Sequence, residues 1–214
     1  NRLHEQPELA LDPIGLAAGT PIVIVAKKGM AAPDLKSFVE AVKAGGASIN
    51  QAHAGVGSVS HSTGVLFDSL IGAKPTLVVY RGTGPALNDL MAGQVDFMTD
   101  QIVNVAPQIP GGTIKAYAIA TPERSPSLPD VPTTREAGLP SSEVSAWNAV
   151  FAPKNLPKDG HAKLVGALDK ALDDPTVRER RPKLGGRNPE GSEGGPAARR
   201  GQGGRGGEGG SPGR

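Results

Sequence analysis

The sequence contains no cysteine. This absence excludes a disulfide framework and a thiol nucleophile, and it leaves the redox compartment of the protein undetermined. No apolar run approaches the roughly 18 residues that a membrane-spanning helix requires. The chain opens at Asn1 without the basic and apolar segments of an export signal, so we expect such a signal to have been removed or to lie outside this sequence.

Most of the chain carries no excess of positive or negative charge. Its 214 residues include 23 Lys and Arg against 21 Asp and Glu. Residues 185–214 supply five of the arginines and three of the glutamates, so the rest of the chain is neutral. The basic sequence pI of about 8.9 therefore results from this C-terminal segment. It does not indicate a nucleic-acid-binding surface on the folded part of the chain.

The C-terminal segment, residues 185–214, holds 13 of the 30 glycines and no large apolar side chain. Such a composition buries too little surface to offset the entropy of ordering the chain, so we predict that the segment is disordered. Its Arg205–Gly207 triplet resembles arginine-glycine segments that bind nucleic acid. Nucleic-acid binding through this tail stays an alternative, although interleaved aromatic residues are absent and the net charge is small.

Strand and helix patterns alternate along the chain with short connections. The run Pro21–Ala26 is continuously apolar and β-branched, which predicts a strand buried on both faces of a parallel sheet. Pro33 and Asp34 suit the first turn of a helix that ends at Gly45–Gly46. Further strands are predicted near Ser48–Asn50 and at Thr76–Tyr80, Val95–Met98, Ile114–Ala120 and Trp147–Ala152, and further helices around Val65–Leu70, at Pro85–Met91, near Thr133–Ala137, around Leu164–Leu172 and from Pro175 to a break at Pro182. The pattern predicts an α/β fold with a parallel or mixed sheet wrapped by helices.

Two glycine-containing loops each join a predicted strand to the start of a helix. The first is Ala54–His61, Ala-Gly-Val-Gly-Ser-Val-Ser-His, and the second is Tyr80–Ala86, Tyr-Arg-Gly-Thr-Gly-Pro-Ala. Free backbone N–H groups and hydroxyls at helix starts form an anion site without a metal or a cofactor. We therefore predict a small-molecule cleft at these loops, with no cofactor.

The predicted ligand contacts come from both loops and from one strand end. In the first loop, glycines permit close backbone approach while serines donate to a carboxylate or cap the helix: Gly55, Gly57, Ser58 and Ser60. In the second loop, a phenol, a hydroxyl and free N–H groups precede Pro85, which suits the first helical position: Tyr80, Gly82, Thr83 and Gly84. Asp100, at the end of a predicted strand, is expected to receive a ligand amine or to order the cleft.

Other interpretations of the polar residues are weaker. Ser58 and His61 share a helical face, but no third catalytic member, oxyanion hole or Gly-x-Ser-x-Gly elbow accompanies them, so a small hydrolase is only an alternative and a structural His61 is favoured. The spacing of the nearby His and Asp residues matches no metal-ligand pattern. Arg81 is expected to be solvated or in a surface ion pair, although it is able to form a bidentate carboxylate pair.

Several stretches in a fixed order carry a resemblance to a known family. They are the glycine loop with Ser-x-Ser-His, the Tyr-Arg-Gly-x-x-Pro-Ala loop, Gly93–Asp96 with Asp100, Ala118–Thr121, Arg124–Thr133, Glu136–Leu139 and Trp147. On these residues, positions 12–184 resemble the substrate-binding receptors of tripartite tricarboxylate transporters, the Bug receptors of bacterial periplasms.

The resemblance implies a periplasmic-binding-protein-like fold of the second type, with a ligand held between two lobes. In that fold residues 1–23 would be part of lobe one, 24–142 lobe two, 143–184 a return to lobe one and 185–214 a tail. The family's opening segment and its last amphipathic helix are then expected to be missing, with an aberrant tail in place of the helix. Trp147 is expected to pack in the core near the hinge, with lining of the cleft as the alternative. Such losses are expected to impair binding.

The resemblance also implies a function. The chain would be a periplasmic receptor for a small organic carboxylate, would pass its cargo to membrane permease subunits or report it to a sensor protein, and would act as a monomer. It would be neither an enzyme nor a nucleic-acid binder. Hydroxyls and N–H groups suit almost any carboxylate, so the sequence does not identify the ligand.

Overall fold

The computed structural model describes residues 11–183 and Gly185. These residues fall into two compact units, of which the larger contains residues 19–146, 179–183 and 185 and the smaller contains 11–18 and 147–178. The predicted disorder of the C-terminal tail lies outside the described residues, apart from Gly185. Among the described residues, no helix is long and apolar enough to cross a membrane.

Six strands and six α-helices make up the regular structure of the described residues. The strands are β1 (Leu11–Lys27), β2 (Asn50–His53), β3 (Thr76–Val79), β4 (Phe97–Gln101), β5 (Ile114–Ile119) and β6 (Ser145–Pro153). The helices are α1 (Leu35–Gly45), α2 (Val59–Ile71), α3 (Thr83–Met91), α4 (Ile102–Val105), α5 (Lys158–Asp173) and α6 (Pro175–Lys183). The mixed α/β architecture predicted from the sequence is confirmed.

The sheet has the strand order β3-β2-β4-β1-β5, and β6 also pairs with β1. β2 is parallel to both β3 and β4, whereas β1 is antiparallel to both β4 and β5. The predicted burial of Pro21–Ala26 on both faces is therefore confirmed, but the parallel pairing predicted for it is wrong. A continuous apolar run reports that both faces are covered, and it carries no information about the direction of the neighbouring strands.

Several predicted boundaries need correction. Ser48 lies in a short 3₁₀ helix, so β2 begins only at Asn50. β4 begins two residues later than predicted and continues through Thr99 and Asp100, which are almost completely buried. Helix α3 begins at Thr83, so Pro85 is its third residue rather than its first, and its missing N–H still falls among the groups that lack an intrahelical acceptor.

The connection after β5 and the last helix also differ from the predictions. Residues 133–137 form hydrogen-bonded turns rather than a short helix. Thr133 N–H donates to the Glu136 carboxylate at 2.7 Å and Glu136 N–H donates to Thr133 Oγ1 at 3.1 Å, so the reciprocal contacts of a capping box form without a helix following them. In α6, Pro182 lies inside the final turn instead of breaking the helix before it.

The two faces of the sheet each carry an apolar cluster in the larger unit. Successive residues of β1 point to opposite faces, so Val23 and Val25 join one cluster while Ile24 and Ala26 join the other. Phe38 of α1 is completely buried in the second cluster. Three aromatic rings surround it: Tyr117 stacked at 4.4 Å, Phe97 edge-on at 5.3 Å and Phe67 stacked at 6.2 Å between ring centroids. This aromatic group fixes α1 and α2 on the sheet.

In the smaller unit, β6 is mostly exposed and Ala152 is its one buried residue. Trp147 is 62% exposed, so the prediction that it packs in the core is wrong. The apolar pattern at Trp147–Ala152 located the strand correctly. A pattern of this kind does not show whether another layer covers the strand.

The inner face of α2 carries a buried carboxylate. Asp68 is only 9% exposed, and its Oδ1 atom has no hydrogen-bond partner among the described residues. Burial raises the pKa of Asp68 from 3.8 to about 7. Because the folded-state pKa lies above the unfolded value, the fold favours the protonated form. The stability linked to Asp68 is therefore greatest at low pH and is lost as the pH rises through about 7.

We expect Asp68→Asn to raise the free energy of unfolding at pH 8 by about 1–3 kcal/mol, because it removes the cost of a buried charge. At pH 5, which lies between the unfolded and the folded pKa of Asp68, the gain is expected to be about half as large or less. Urea unfolding at the two pH values measures the difference, with the exposed Asp130→Asn as the control. An equal effect of Asp68→Asn at both pH values would contradict the assignment.

Candidate functional site

The candidate site lies at one edge of the sheet of the larger unit. Because β2, β3 and β4 are parallel, their C-terminal ends meet at this edge, and the two glycine loops follow β2 and β3. Tyr80 N–H donates to His53 O at 2.9 Å and Gly82 N–H donates to Ala54 O at 3.2 Å. The structure thus brings the two loops side by side.

The first loop is a tight turn that depends on glycine. Gly55 has φ of 126° and Gly57 has φ of 77°, which side chains with a Cβ rarely adopt. Ser58 N–H donates to Gly55 O at 3.1 Å. Ser58 is also the N-cap of α2, and its hydroxyl accepts from His61 N–H at 3.2 Å. The capping role and a contact to a ligand remain compatible, since one hydroxyl has two lone pairs and a proton.

Ser60 supports this loop from beneath. It is 2% exposed, and its hydroxyl accepts from Ala54 N–H at 2.9 Å. The hydroxyls of Ser60 and Ser58 lie 3.1 Å apart and share a hydrogen bond. When Ser60 donates in this pair, the proton of Ser58 is left available to a ligand.

Two histidines hold the glycines of the first loop. His53 Nδ1 accepts from Gly55 N–H and His61 Nδ1 accepts from Gly57 N–H, each at 3.3 Å, and the two rings lie 4.6 Å apart. The ring of His61 therefore contacts the loop backbone, whereas Ser58 Oγ receives the backbone N–H of the same residue. Among the described residues, no group of three or more His, Asp or Glu side chains is placed to hold a metal ion.

The second loop is organised by two aspartates. Tyr80 Oη donates to Asp89 Oδ2 at 2.6 Å, and burial together with this hydrogen bond raises the pKa of Tyr80 to about 12. Gly82, with φ of 111°, is the N-cap of α3. Thr83 Oγ1 donates to Asp100 Oδ2 at 2.7 Å. The side chains of Tyr80 and Thr83 are thereby fixed in place by acceptors within the protein.

Asp100 connects the second loop to the end of β4. It is 2% exposed, and its Oδ1 accepts from Gln101 N–H at 2.7 Å and from Asn104 Nδ2 at 3.1 Å. This placement agrees with a role in ordering the cleft. Sequence reasoning missed Asn104, because Asp100 lies near the end of a strand and Asn104 lies in the short helix that follows it, so no single periodic pattern joins the two residues.

Thr99 is a second residue that sequence reasoning missed. Its hydroxyl lies 2.8 Å from Thr63 Oγ1 and donates to Ser60 O at 3.1 Å, so it joins β4 to the first turn of α2. No motif indicates this contact, because the two threonines are 36 residues apart.

Backbone donors without partners lie at this edge. Among the described residues, four N–H groups in the first turns of α2 and α3 form no hydrogen bond: those of Val59, Ser60, Thr83 and Gly84. Each helix start carries a partial positive charge. Arg81 is the one cationic side chain in either loop, and it is exposed. The arrangement suits an anion that is held by N–H groups and dipoles rather than by an ion pair.

Comparison with known proteins identifies similar chains. Residues 2–188 match the family described as Tripartite tricarboxylate transporter family receptor. A UPF0065 protein from Agrobacterium vitis is 41% identical over 84% of this chain and 54% of its own length. This chain spans about half the length of the curated relatives that it matches over most of its residues.

Two solved structures share the fold. MatC from Rhodopseudomonas palustris with bound malate is 44% identical, with a TM-score of 0.82 over 88% of this chain and 63% of that one. The periplasmic binding protein BugD is 40% identical, with a TM-score of 0.79 over 82% of this chain and 59% of that one. The predicted periplasmic-binding-protein fold is confirmed for the part of that fold which this chain covers.

Proposed function

This chain belongs to the tripartite tricarboxylate transporter receptor family, and from that premise we propose that it binds a small organic carboxylate where β2 and β3 end. The observation that carries the proposal is the pair of adjacent helix starts whose N–H groups have no partner among the described residues. A carboxylate has two oxygens able to accept from several donors at once. Each charge-assisted hydrogen bond contributes about 1.5–3 kcal/mol.

The proposed roles divide the site residues into three groups. Val59, Ser60, Thr83 and Gly84 donate their backbone N–H groups, and Ser58 adds a hydroxyl. Gly55, Gly57 and Gly82 permit the close approach of the ligand to the backbone. Tyr80 and Asp100 hold the second loop in shape through their hydrogen bonds.

The proposed role in the cell is reception of a solute. We infer that the protein acts in the periplasm, as a monomer, and that it passes the ligand to membrane permease subunits or reports it to a sensor protein. BugD is a periplasmic binding protein and MatC holds malate, which supports both the compartment and the ligand class. Catalysis is not proposed, because His61 Nδ1 is engaged by Gly57 N–H and no general base faces the Ser58 hydroxyl among the described residues.

Thermal unfolding with charged and neutral ligands tests this function. Malate and succinate are expected to raise the melting temperature saturably, whereas the neutral diamide succinamide is not, because only the acids carry the carboxylate. A ligand present at about a hundred times its dissociation constant adds about 2.7 kcal/mol to the stability. Sodium chloride at matched ionic strength is the control. Equal shifts with succinamide, or conversion of the acid to a product, would contradict a carboxylate receptor.

A further inference from the structure

The hydroxyl groups of Thr83 and Tyr80, in the second loop, each donate their one proton to an aspartate of the protein. Thr83 Oγ1 donates to Asp100 Oδ2 at 2.7 Å, and Tyr80 Oη donates to Asp89 Oδ2 at 2.6 Å. A hydroxyl has one proton and two lone pairs. Toward any other group, both side chains therefore act as acceptors, and the donors that remain in this loop are its backbone N–H groups and the exposed side chain of Arg81.

Asp100 is the residue that sets this polarity. It is 2% exposed and receives three hydrogen bonds, from Thr83 Oγ1, Gln101 N–H and Asn104 Nδ2. Each of these contacts comes from a donor, so the Asp100 oxygens act only as acceptors. If the Thr83 hydroxyl turned its proton in any other direction, a buried oxygen of Asp100 would lose this hydrogen-bond partner.

The acceptor, Thr83 Oγ1, lies next to the Thr83 backbone N–H, which is proposed to donate to the ligand carboxylate. The backbone nitrogen and Oγ1 of Thr83 are three covalent bonds apart, and the residue is half-buried at the start of α3. A carboxylate that accepts from Thr83 N–H places the substituent on its neighbouring carbon within reach of Oγ1. A hydroxyl or ammonium at that carbon can donate to Oγ1, whereas a keto oxygen there would face another acceptor.

We propose that Asp100 makes Thr83 a hydrogen-bond acceptor and that the site therefore selects carboxylates with a hydrogen-bond donor on the adjacent carbon. This selection rests on the proposed carboxylate-binding function. Asp100 is thus a positioning residue that acts through Thr83. It does not need to touch the ligand itself.

The substitution Asp100→Asn reverses the polarity. An asparagine oxygen in the Oδ1 position keeps the contacts to Gln101 N–H and Asn104 Nδ2. Its amide nitrogen then lies against Thr83 Oγ1 and donates to it, so the Thr83 proton is released toward the ligand. The variant is expected to favour an acceptor on the adjacent carbon.

The experiment measures dissociation constants for four acids by amide chemical-shift titration of the 214-residue chain, which detects weak as well as tight binding. Malate carries a hydroxyl, aspartate an ammonium, oxaloacetate a keto oxygen, and succinate none of these. We expect the native chain to bind malate or aspartate about five- to tenfold more tightly than succinate, and to bind oxaloacetate no better than succinate. In Asp100→Asn, malate and aspartate are expected to bind no more tightly than succinate, and oxaloacetate is expected to bind more tightly than succinate.

Two variants of Thr83 keep the test valid if Asp100→Asn fails to fold. Thr83→Ser retains the hydroxyl and is expected to retain the preference, whereas Thr83→Ala removes the acceptor and abolishes it. A preference for aspartate over malate identifies ammonium as the donor, and the reverse identifies hydroxyl. Equal binding of malate, aspartate and succinate by the native chain, or a preference that survives Thr83→Ala, overturns the inference alone. Binding of none of the acids overturns the proposed function and this inference with it.

Discussion

Replacing Gly57 with valine is expected to weaken carboxylate binding at least about tenfold, because a β-branched residue does not tolerate the backbone that Gly57 adopts. Gly57 has φ of 77°. A non-glycine residue held in such a conformation costs about 1–3 kcal/mol, which the chain relieves by moving the loop. That movement displaces Gly57 N–H from His61 Nδ1 and shifts the first turn of α2, whose N–H groups are the proposed donors.

Gly72 offers a matched control for this effect. It has φ of 67° and terminates the same helix at its other end, and a Cβ added at either glycine meets no atom within 4 Å. Gly72→Val therefore imposes a similar backbone strain away from the proposed site. We expect the two variants to lose similar amounts of stability in urea unfolding, while only Gly57→Val loses affinity in a malate titration. Equal affinities for the two variants would place the binding site elsewhere.

The largest loss of stability is expected from Phe38→Ala, at about 3–5 kcal/mol. Phe38 is completely buried, and its ring contacts those of Phe67, Phe97 and Tyr117. Truncation removes these ring contacts and leaves a cavity between α1 and the sheet, whose rigid surroundings cannot fully collapse into it. The loss is a large part of the 5–15 kcal/mol that stabilises a typical domain.

Urea unfolding measures this loss, with Phe151→Ala as the control. Phe151 is 46% exposed in β6, so its truncation is expected to change the free energy of unfolding by no more than about 0.5 kcal/mol. A loss below about 1 kcal/mol for Phe38→Ala would show that the aromatic group does not anchor α1.

Local patterns in the sequence located most of the strands and helices, but they did not determine how strands pair. The apolar run Pro21–Ala26 predicted its own burial, whereas its antiparallel partners depend on β4 and β5, which lie more than 70 residues further along the chain. The end of β4 was misplaced because Thr99 and Asp100 are polar residues in a buried strand. Their burial depends on partners from α2 and α3, which no local pattern reveals.

For the candidate site, the sequence predicted the two loops better than the chemistry within them. Glycines followed by Ser58 or Pro85 indicated two helix starts, although the second helix begins at Thr83, and parallel pairing of the preceding strands brought the loops together. The direction of each hydroxyl proton was beyond prediction, since Thr83 donates to a residue 17 positions away and Tyr80 to one 9 positions away. The assignment of these residues to ligand binding stays a prediction.

The most direct test of the central claim is a map of amide chemical shifts during a malate titration of the isotopically labelled chain. We predict the largest saturable shifts for the four backbone N–H groups at the starts of α2 and α3: Val59, Ser60, Thr83 and Gly84. The start of α1 is an internal reference, because there Ser37 N–H is already held by Asp34 at 2.7 Å. Shifts that are largest at α1, or that spare all four amides while malate binds, would contradict the account.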